Sequence, residues 1–475
     1  MSPEAARRAL HRVADMVADR LESPDRYPVL PRLEPGAVRS SLSPAPPAVG
    51  ETLDTILDDY ARLVEPGSTQ WNHPGFMAYF AISASAPGIL AETLAATLNV
   101  NAMLWRTGPA ATEMEELVCD WLRQMLQLPP EFRGHINDTA SIGSFLALAA
   151  ARHRADPTIR ELGLAARADL QPMTVYAGAE AHSSIDKAVV ALGLGLVNLR
   201  RVPTDDTFRM DVAALAATIQ ADRGRGERPV AVVATAGTTS TTSVDPLRAT
   251  AEVCAREGLW LHVDAAYAGS AAICPEYRAL LDGLELADSV VLNPHKWLFT
   301  PLDCSVLLVR DPGALRAAFS VVPEYLRTTS GEATNLMDYG IQLGRRFRAL
   351  KLWMVIRAFG VEGLRARIRT HCELARDFAA RVRAEPGFEV CAPVPFSTVC
   401  FRATPAVEAE EQDRVNERIL ERVNASGEVF LSHTRLRGRH VLRLAIGNLW
   451  TGPEHVARAW ELVREVAGEA RASPP

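Results

Sequence analysis

The fold is decided by the stretch Leu259-Trp260-Leu261-His262-Val263-Asp264, a short apolar run that ends on a carboxylate. Similar runs occur at residues 173–176, 230–235, 289–293 and 305–309, and helical segments separate them. Short apolar runs that alternate with helices are typical of a parallel sheet covered on both faces. We therefore predict an α/β fold with a mainly parallel sheet flanked by helices.

The two ends of the chain differ from this core. The N-terminal part has helical spacing over residues 4–22 and 52–63, separated by a proline- and serine-rich stretch at 24–47. That stretch must be extended, because proline fixes φ and removes a donor. We expect this part to pack onto another domain or another chain. The predicted division is an N-terminal helical and extended arm (1–85), a large α/β domain (86–360) and a small α+β domain (361–475).

Composition argues against several classes of protein. The 475 residues include 51 Lys and Arg against 57 Asp and Glu, a net charge of −6, whereas nucleic-acid-binding domains are usually basic. Seven cysteines without a Cys-x-x-Cys spacing predict neither a zinc site nor a disulfide framework. This cysteine usage fits a reducing cytoplasm, where we expect the protein to be. No apolar stretch approaches about 18 residues, so we expect no membrane span.

Lysine is rare in this chain. Only Lys187, Lys296 and Lys351 occur, and all other basic residues apart from histidine are arginine. Arginine stays protonated in proteins, whereas lysine can be tuned to a neutral amine and act as a nucleophile. None of the three lysines follows a glycine, so the Gly-Lys-Ser/Thr of a phosphate-binding P-loop is absent.

Reactive side chains follow the ends of four predicted strands. His182 comes shortly after the first run, Thr235 ends the second, Asp264 ends the third and Lys296 follows the fourth. Ligands of open parallel sheets bind at the carboxyl ends of the strands, so these side chains are expected to meet at one edge. Each also has a structural alternative: a core histidine, a strand threonine, a helix-capping aspartate or a surface lysine. All four alternatives would have to hold together for this edge to be inert.

An amine, a carboxylate and a stacking ring suit pyridoxal phosphate, and we predict no metal. A lysine holds its aldehyde covalently, and a carboxylate keeps its pyridine nitrogen protonated. Ala266 would leave room beneath the ring, with His182 stacked above it. The phosphate would sit at a helix N-terminus, for which residues 138–144 (Asp-Thr-Ala-Ser-Ile-Gly-Ser) are the candidate.

These motifs resemble the group II pyridoxal-phosphate-dependent decarboxylases, specifically the aromatic-L-amino-acid decarboxylases. The matching strings are Asn293-Pro294-His295-Lys296-Trp297-Leu298, His262-Val263-Asp264-Ala265-Ala266-Tyr267-Ala268-Gly269 and Ala181-His182-Ser183-Ser184, extended by residues 323–326 and 343–353. The resemblance implies the aspartate-aminotransferase fold, called fold type I. It also implies a homodimer in which the N-terminal arm clasps the partner and the neighbouring subunit completes the active site.

The resemblance further implies a role for each matching residue. Lys296 would bind the cofactor covalently, Asp264 would pair with the pyridine nitrogen, and Ala266 and His182 would sandwich the ring, with Thr235 nearby. Tyr325 would donate the proton to Cα after CO2 leaves, whereas aldehyde-forming relatives carry Phe at that place and often Asn at the stacking histidine. The residues expected around the phosphate are Thr139, Ala140, Ser141, Asn293 and His295.

For the substrate, the resemblance implies an aromatic L-amino acid. Ile82 stands where members acting on catechols have threonine, and Asn101 and Met103 replace apolar and aromatic residues expected from the partner subunit. Gly344 lies where members preferring indoles have glycine. We therefore expect tryptophan or phenylalanine in preference to dopa or tyrosine. The predicted substrate contacts are Trp71, Tyr79, Phe80, Ile82, Asn101, Met103 and Gly344.

Two other functions are left open by the sequence. The same cofactor could decarboxylate an acidic amino acid or deaminate a substrate oxidatively to an aldehyde, although Trp71, Tyr79 and Phe80 supply no cation for an acidic side chain. The other alternative is a nicotinamide-binding or non-catalytic α/β protein. Gly193-Leu194-Gly195 begins a dinucleotide fingerprint, but Asn198 stands where its third glycine is required.

Overall fold

The computed structural model describes residues 2–321 and 333–472. Its strands, numbered in chain order, are β1 (Phe76–Met77), β2 (Arg133–Asn137), β3 (Met173–Gly178), β4 (Leu199–Val202), β5 (Arg228–Thr235), β6 (Trp260–Asp264), β7 (Ser289–Leu292), β8 (Ser305–Val309), β9 (Phe388–Val390), β10 (Thr398–Ala403), β11 (Phe430–Leu436) and β12 (Arg439–Ala445). Its α-helices are α1 (Pro3–Glu22), α2 (Ala37–Ser40), α3 (Leu53–Asp59), α4 (Ala86–Leu98), α5 (Pro109–Met125), α6 (Ala140–Ala155), α7 (Ile159–Leu162), α8 (Ser184–Ala191), α9 (Val212–Gly224), α10 (Leu247–Glu257), α11 (Pro294–Trp297), α12 (Pro312–Phe319), α13 (Ala349–Ala384), α14 (Ala409–Ala425) and α15 (Pro453–Ala472).

The chain forms two compact units whose bounds differ from the predicted domains. Unit 1 contains residues 1–81, 377–391 and 401–475, and unit 2 contains residues 82–376 and 392–400. The first 81 residues therefore share a unit with the C-terminal segments. Helix α13 runs past the predicted boundary at residue 360, where Gly360 interrupts it with a φ of 63°.

Unit 2 is built on a seven-stranded sheet in the order β2-β8-β7-β6-β5-β3-β4. The strands from β4 to β7 run parallel, whereas β8 is antiparallel to both β7 and β2. All five runs predicted as strands are present, which confirms the α/β class. The sequence prediction missed β2 and β4, because these edge strands mix charged and apolar residues and lack a continuous apolar run.

The core of unit 2 brings helix α6 close to the sheet. Its small residues, among them Ala147 and Ala150, are fully buried against apolar side chains of the strands. A Cβ at Gly143 would lie 2.6 Å from the Val291 side chain, so only glycine allows this approach. The N-terminus of α6 is thereby held against β7.

Unit 1 contains a five-stranded sheet in the order β1-β11-β12-β10-β9. Strands β11 and β12 form an antiparallel hairpin, and β1 pairs in parallel with β11. The extended N-terminal stretch is fixed here, because the N–H of Val29 donates to the carbonyl oxygen of Gly427 at 2.8 Å and Val29 is fully buried. Across residues 2–321 and 333–472, no helix is both long enough and apolar enough to cross a membrane.

Candidate active site

The carboxyl ends of β5, β6 and β7 place the predicted residues side by side. Thr235 and Asp264 are register partners, and Asp264 is also paired with Val291 of β7. Asp264 is 6% exposed, and its Oδ1 accepts a hydrogen bond from the N–H of Ala266 at 3.1 Å. The carbonyl oxygen of Ala266 in turn accepts from the N–H of Asn293 at 3.1 Å, so the turns after β6 and β7 are joined.

His182 lies in the turn that follows β3. Its Nδ1 accepts from the N–H of Ser184 at 3.1 Å, which leaves Nε2 as the nitrogen that carries the proton of the neutral ring. Desolvation lowers the pKa of His182, the charge of Asp264 raises it and that of Lys296 lowers it again. The structure therefore brings the imidazole, the carboxylate and the amine within interaction distance.

Helix α11 carries Lys296 and His295 directly after β7. His295 is buried, and its Nδ1 accepts from the N–H of Cys304 at 3.0 Å. Burial lowers the pKa of His295 to about 3, with a further contribution from the charge of Lys296. His295 is thus a neutral ring whose Nε2–H can donate to an anion.

A second anion-binding element is the N-terminus of α6. Thr139 occupies the N-cap position, but its hydroxyl donates to Asp138 Oδ1 at 3.2 Å and does not cap the helix. The first backbone N–H groups, at Ala140 and Ser141, therefore remain available to a ligand. Free N–H groups and the helix dipole together favour a phosphate.

Two buried oxygen atoms at this edge lack a partner among the described residues. They are Thr235 Oγ1 and Asn293 Oδ1, on side chains that are 4% and 3% exposed. Buried polar atoms usually have a hydrogen-bond partner, and a ligand bound at this edge would supply one to both oxygens. The edge thus fits pyridoxal phosphate, with Lys296 to bind its aldehyde, Asp264 to face its ring nitrogen and the α6 N-terminus to hold its phosphate.

The other two lysines lie in different surroundings. Lys187 is exposed on α8, whereas Lys351 on α13 is 2% exposed and forms an ion pair with Glu92. Helix α13 begins at Ala349, so the Arg-rich residues 343–348 that precede Lys351 are not helical. Of the three lysines, Lys296 alone follows a strand of the sheet directly.

Comparison with known proteins agrees with this chemistry. Residues 35–404 match the Pyridoxal-dependent decarboxylase conserved domain. The chain belongs to this decarboxylase family. It is a carboxy-lyase that uses pyridoxal phosphate, and its fold is fold type I.

Individual relatives of this decarboxylase cover nearly its whole length. Phenylacetaldehyde synthase from Arabidopsis thaliana is 40% identical, with 98% of this chain and 96% of the relative aligned. Tryptophan decarboxylase 1 from Oryza sativa subsp. japonica is also 40% identical, over 99% of this chain and 95% of the relative. The crystal structure of Oryza sativa TDC with PLP and tryptamine has a TM-score of 0.94 at 40% identity and covers 99% of both chains.

Sequence reasoning missed Asp245, whose side chain holds the backbone at the end of β5. Its carboxylate accepts from the N–H of Thr235 at 2.8 Å and from the N–H of Met210 at 2.7 Å. Burial raises its pKa to about 6. An aspartate before a proline at the start of a helix is normally interpreted as a capping residue. The sequence therefore did not indicate that Asp245 binds the backbone of Thr235.

A second missed feature is a buried cluster of rings around Trp297. Tyr267 stacks on Trp297 with ring centroids 4.5 Å apart and planes 6° apart. Trp297 Nε1 donates to His371 Nδ1 at 2.9 Å. The residue after Lys296 and the third residue after Asp264 are thereby locked together, which limits the movement of both turns.

The predicted substrate contacts fall into two groups that lie in different units. In unit 1, Trp71 packs on Phe76 at 4.3 Å and lies 6.3 Å from the Tyr79 ring, while Phe80 is stacked beneath the Arg443 guanidinium at 4.6 Å. In unit 2, Asn101 and Met103 form hydrogen bonds with Arg345 and Met337 of the segment that contains Gly344. Ile82 is partly buried. Tyr325 lies outside the described residues.

Proposed function

We propose that this decarboxylase converts an aromatic L-amino acid, tryptophan or phenylalanine in preference to dopa or tyrosine, to the corresponding arylalkylamine and CO2. The observation that carries the proposal is the convergence of Lys296, Asp264 and His182 at one sheet edge. The names of the relatives, among them a tryptophan decarboxylase, support the aromatic class.

Bound pyridoxal phosphate supplies an electron sink for cleavage of the bond between Cα and the carboxylate. Lys296 would hold the cofactor through its amine and release it to the substrate amine. Asp264 would keep a proton on the ring nitrogen, and the Nε2–H of His295 would donate to the phosphate. Tyr325 is proposed to deliver the proton that replaces CO2 at Cα.

The side chains proposed to contact the substrate ring favour an aromatic substrate. Trp71 and Tyr79 present stacked rings, and Tyr79 is 56% exposed. The cation Arg443 contacts these aromatic residues, but its guanidinium stacks on Phe80 and donates to the carbonyl oxygen of Tyr79. An acidic substrate would have to compete with these contacts for the guanidinium, so an aromatic substrate is favoured over an acidic one.

The second candidate is aldehyde formation, because one relative is a phenylacetaldehyde synthase. His182 and Tyr325 stand at the two positions where aldehyde-forming members differ, which favours simple decarboxylation. The test is a product balance on a panel of L-amino acids, measuring CO2, amine, ammonia and hydrogen peroxide. One amine per CO2 is expected, whereas ammonia and peroxide in equal yield with CO2 would exclude the proposal.

We propose that the protein is a homodimer and that an exposed apolar stripe of unit 2 forms its interface. Leu90, Leu94 and Leu98 follow one face of α4 and are 59%, 51% and 60% exposed, and such stripes usually mark a protein interface. The clasping N-terminal arm and the shared active site are part of this proposal. Leu94→Glu is expected to give monomers in light scattering, and an unchanged dimer would place the interface elsewhere.

A cytoplasmic location remains a prediction. No disulfide joins any of the seven cysteines, which all lie among the described residues, as expected for a reducing compartment. Fractionation of the native source with antibody detection would test it.

A further inference from the structure

Residues 101–103 connect the two ends of the segment 337–345. The carbonyl oxygen of Met103 accepts from the N–H of Met337 at 3.1 Å, and the N–H of Ala102 donates to the carbonyl oxygen of Arg345 at 3.0 Å. The side chain of Asn101 adds a third bond, because its Oδ1 accepts from the N–H of Arg345 at 3.0 Å. Both backbone polar groups of Arg345 are therefore held by residues 101 and 102.

The side chain of Arg345 is anchored separately. It is 5% exposed, its Nη1 lies 2.8 Å from His135 Nε2, and its Nη2 donates to the carbonyl oxygen of Ile136 at 3.0 Å. Glu115 forms a buried ion pair with the same guanidinium. Strand β2, which carries His135 and Ile136, leads directly into the helix start at residues 139–141. Arg345 is thus a fixed point of the structure.

Gly344 has no side chain with which to anchor itself. Its φ lies outside the left-handed region, and a Cβ built on it would meet no described atom within 4 Å. The position of Gly344 therefore depends on the residue that follows it. If Arg345 loses a backbone bond, Gly344 is the residue that gains freedom.

We propose that Asn101 is a positioning residue that sets substrate selectivity by fixing the backbone at Gly344. This inference rests on the proposed function, since residue 344 belongs there to the pocket for the substrate side chain. The role differs from the direct substrate contact expected for residue 101. A direct contact needs the amide to face the ligand, whereas Oδ1 is committed to Arg345 and Nδ2 lies 3.4 Å from Met103 Sδ.

The test compares variants of the holoenzyme. Asn101→Leu removes the acceptor at similar volume, and Asn101→Asp keeps an acceptor oxygen in place. Gly344→Ser and the double variant Asn101→Leu/Gly344→Ser complete a cycle. Selectivity is the ratio of kcat/KM for the two best wild-type substrates of an amino-acid panel, whatever their class. Hydrogen exchange of the peptide containing the Arg345 amide is measured in the same samples.

We expect Asn101→Leu to change the selectivity ratio by roughly three- to tenfold, the equivalent of one hydrogen bond, and to speed exchange at Arg345. Asn101→Asp should keep both properties near wild type. The effects of Asn101→Leu and Gly344→Ser should be non-additive, because the first acts through the second. If Asn101→Leu does not fold, Asn101→Ser replaces it, since its side chain is too short to reach the Arg345 N–H.

Three results would overturn the inference: unchanged exchange and selectivity in Asn101→Leu, loss of selectivity in Asn101→Asp, or additive effects in the cycle. Loss in Asn101→Asp would instead indicate direct contact with the substrate. A wild-type enzyme that forms no arylalkylamine from aromatic amino acids would refute the proposed function. The ratio and exchange measurements would still decide the role of Asn101.

Discussion

Thr235 and Asp264 lie opposite each other at the carboxyl ends of two adjacent parallel strands, β5 and β6. The N–H of Ala236 donates to the carbonyl oxygen of Asp264 at 2.8 Å, so the pairing continues past the strand ends. Because both strands are buried on both faces, the separation of this hydroxyl and carboxylate is set by the sheet itself. The geometry proposed for catalysis thus rests on two buried strands of the unit 2 sheet.

Lys296→Ala is expected to remove the visible absorption of the covalently held cofactor and to lower kcat by roughly three orders of magnitude or more. The physical reason is that no other lysine directly follows a strand of the described sheet. Lys187→Ala is the matched control, since Lys187 is exposed on α8, and it should absorb and turn over like the wild type. A borohydride-reducible adduct in Lys296→Ala would assign the attachment to another residue.

Thr235→Val should lower activity without lowering stability. Thr235 Oγ1 is buried with no partner among the described residues, so its loss should change the free energy of unfolding of the apo protein by less than about 1 kcal/mol. We expect kcat/KM to fall by about tenfold or more, as when a hydrogen-bond donor is removed from an active site. Steady-state kinetics and urea unfolding measure the two effects.

The matched control for that substitution is Thr250→Val. Thr250 has the same kind of buried, unpartnered hydroxyl, but it lies within α10. Its substitution should leave both stability and activity unchanged. Equal losses of activity in the two variants would show that the hydroxyl at Thr235 has no special role.

Gly344→Ser should fold normally and change the substrate preference. A Cβ at this position meets no described atom within 4 Å, so the serine side chain enters open space. We expect the ratio of kcat/KM for tryptophan over tyrosine to fall by roughly tenfold, the scale of one small group in a pocket. Gly224→Ser, at an equally open and exposed glycine of α9, should leave the ratio unchanged. A ratio that stays constant in Gly344→Ser would exclude residue 344 from the pocket.

The sequence predicted the central strands and their reactive ends, because β5, β6 and β7 are continuous apolar runs. It missed the residues that hold those strand ends in place, because these residues come from distant segments of the chain. His371 accepts a hydrogen bond from Trp297, from which it is separated by 74 residues in the sequence. Gly143 lies close to the Val291 side chain because helix α6 packs on the sheet. Such contacts depend on tertiary packing, which a local pattern does not encode. For the same reason, the sequence did not decide which part of the protein the N-terminal stretch packs against, and the structure places Val29 of this stretch beside Gly427.

The stability of the apo protein should fall as the pH falls from about 6.5 to 4, and His262 should contribute to this loss. His262 is fully buried between Ser289 Oγ at 2.9 Å and Ser144 Oγ at 3.0 Å, and burial lowers its pKa to about 4. In the unfolded chain a histidine titrates near 6.5. Between these values the unfolded state binds a proton that the folded state does not, so the free energy of unfolding falls by up to about 1.4 kcal/mol per pH unit.

His262→Gln removes this titration and keeps a polar side chain between the two serines. Urea unfolding of the apo protein at about pH 7, 6 and 5 should therefore show a shallower decline for His262→Gln than for the wild type. Other buried histidines such as His295 act in the same direction, so only the difference between the two proteins reports on His262. His11→Gln, at an exposed histidine of α1, should follow the wild-type curve. Parallel curves for wild type and His262→Gln would mean that His262 titrates alike in the folded and unfolded states.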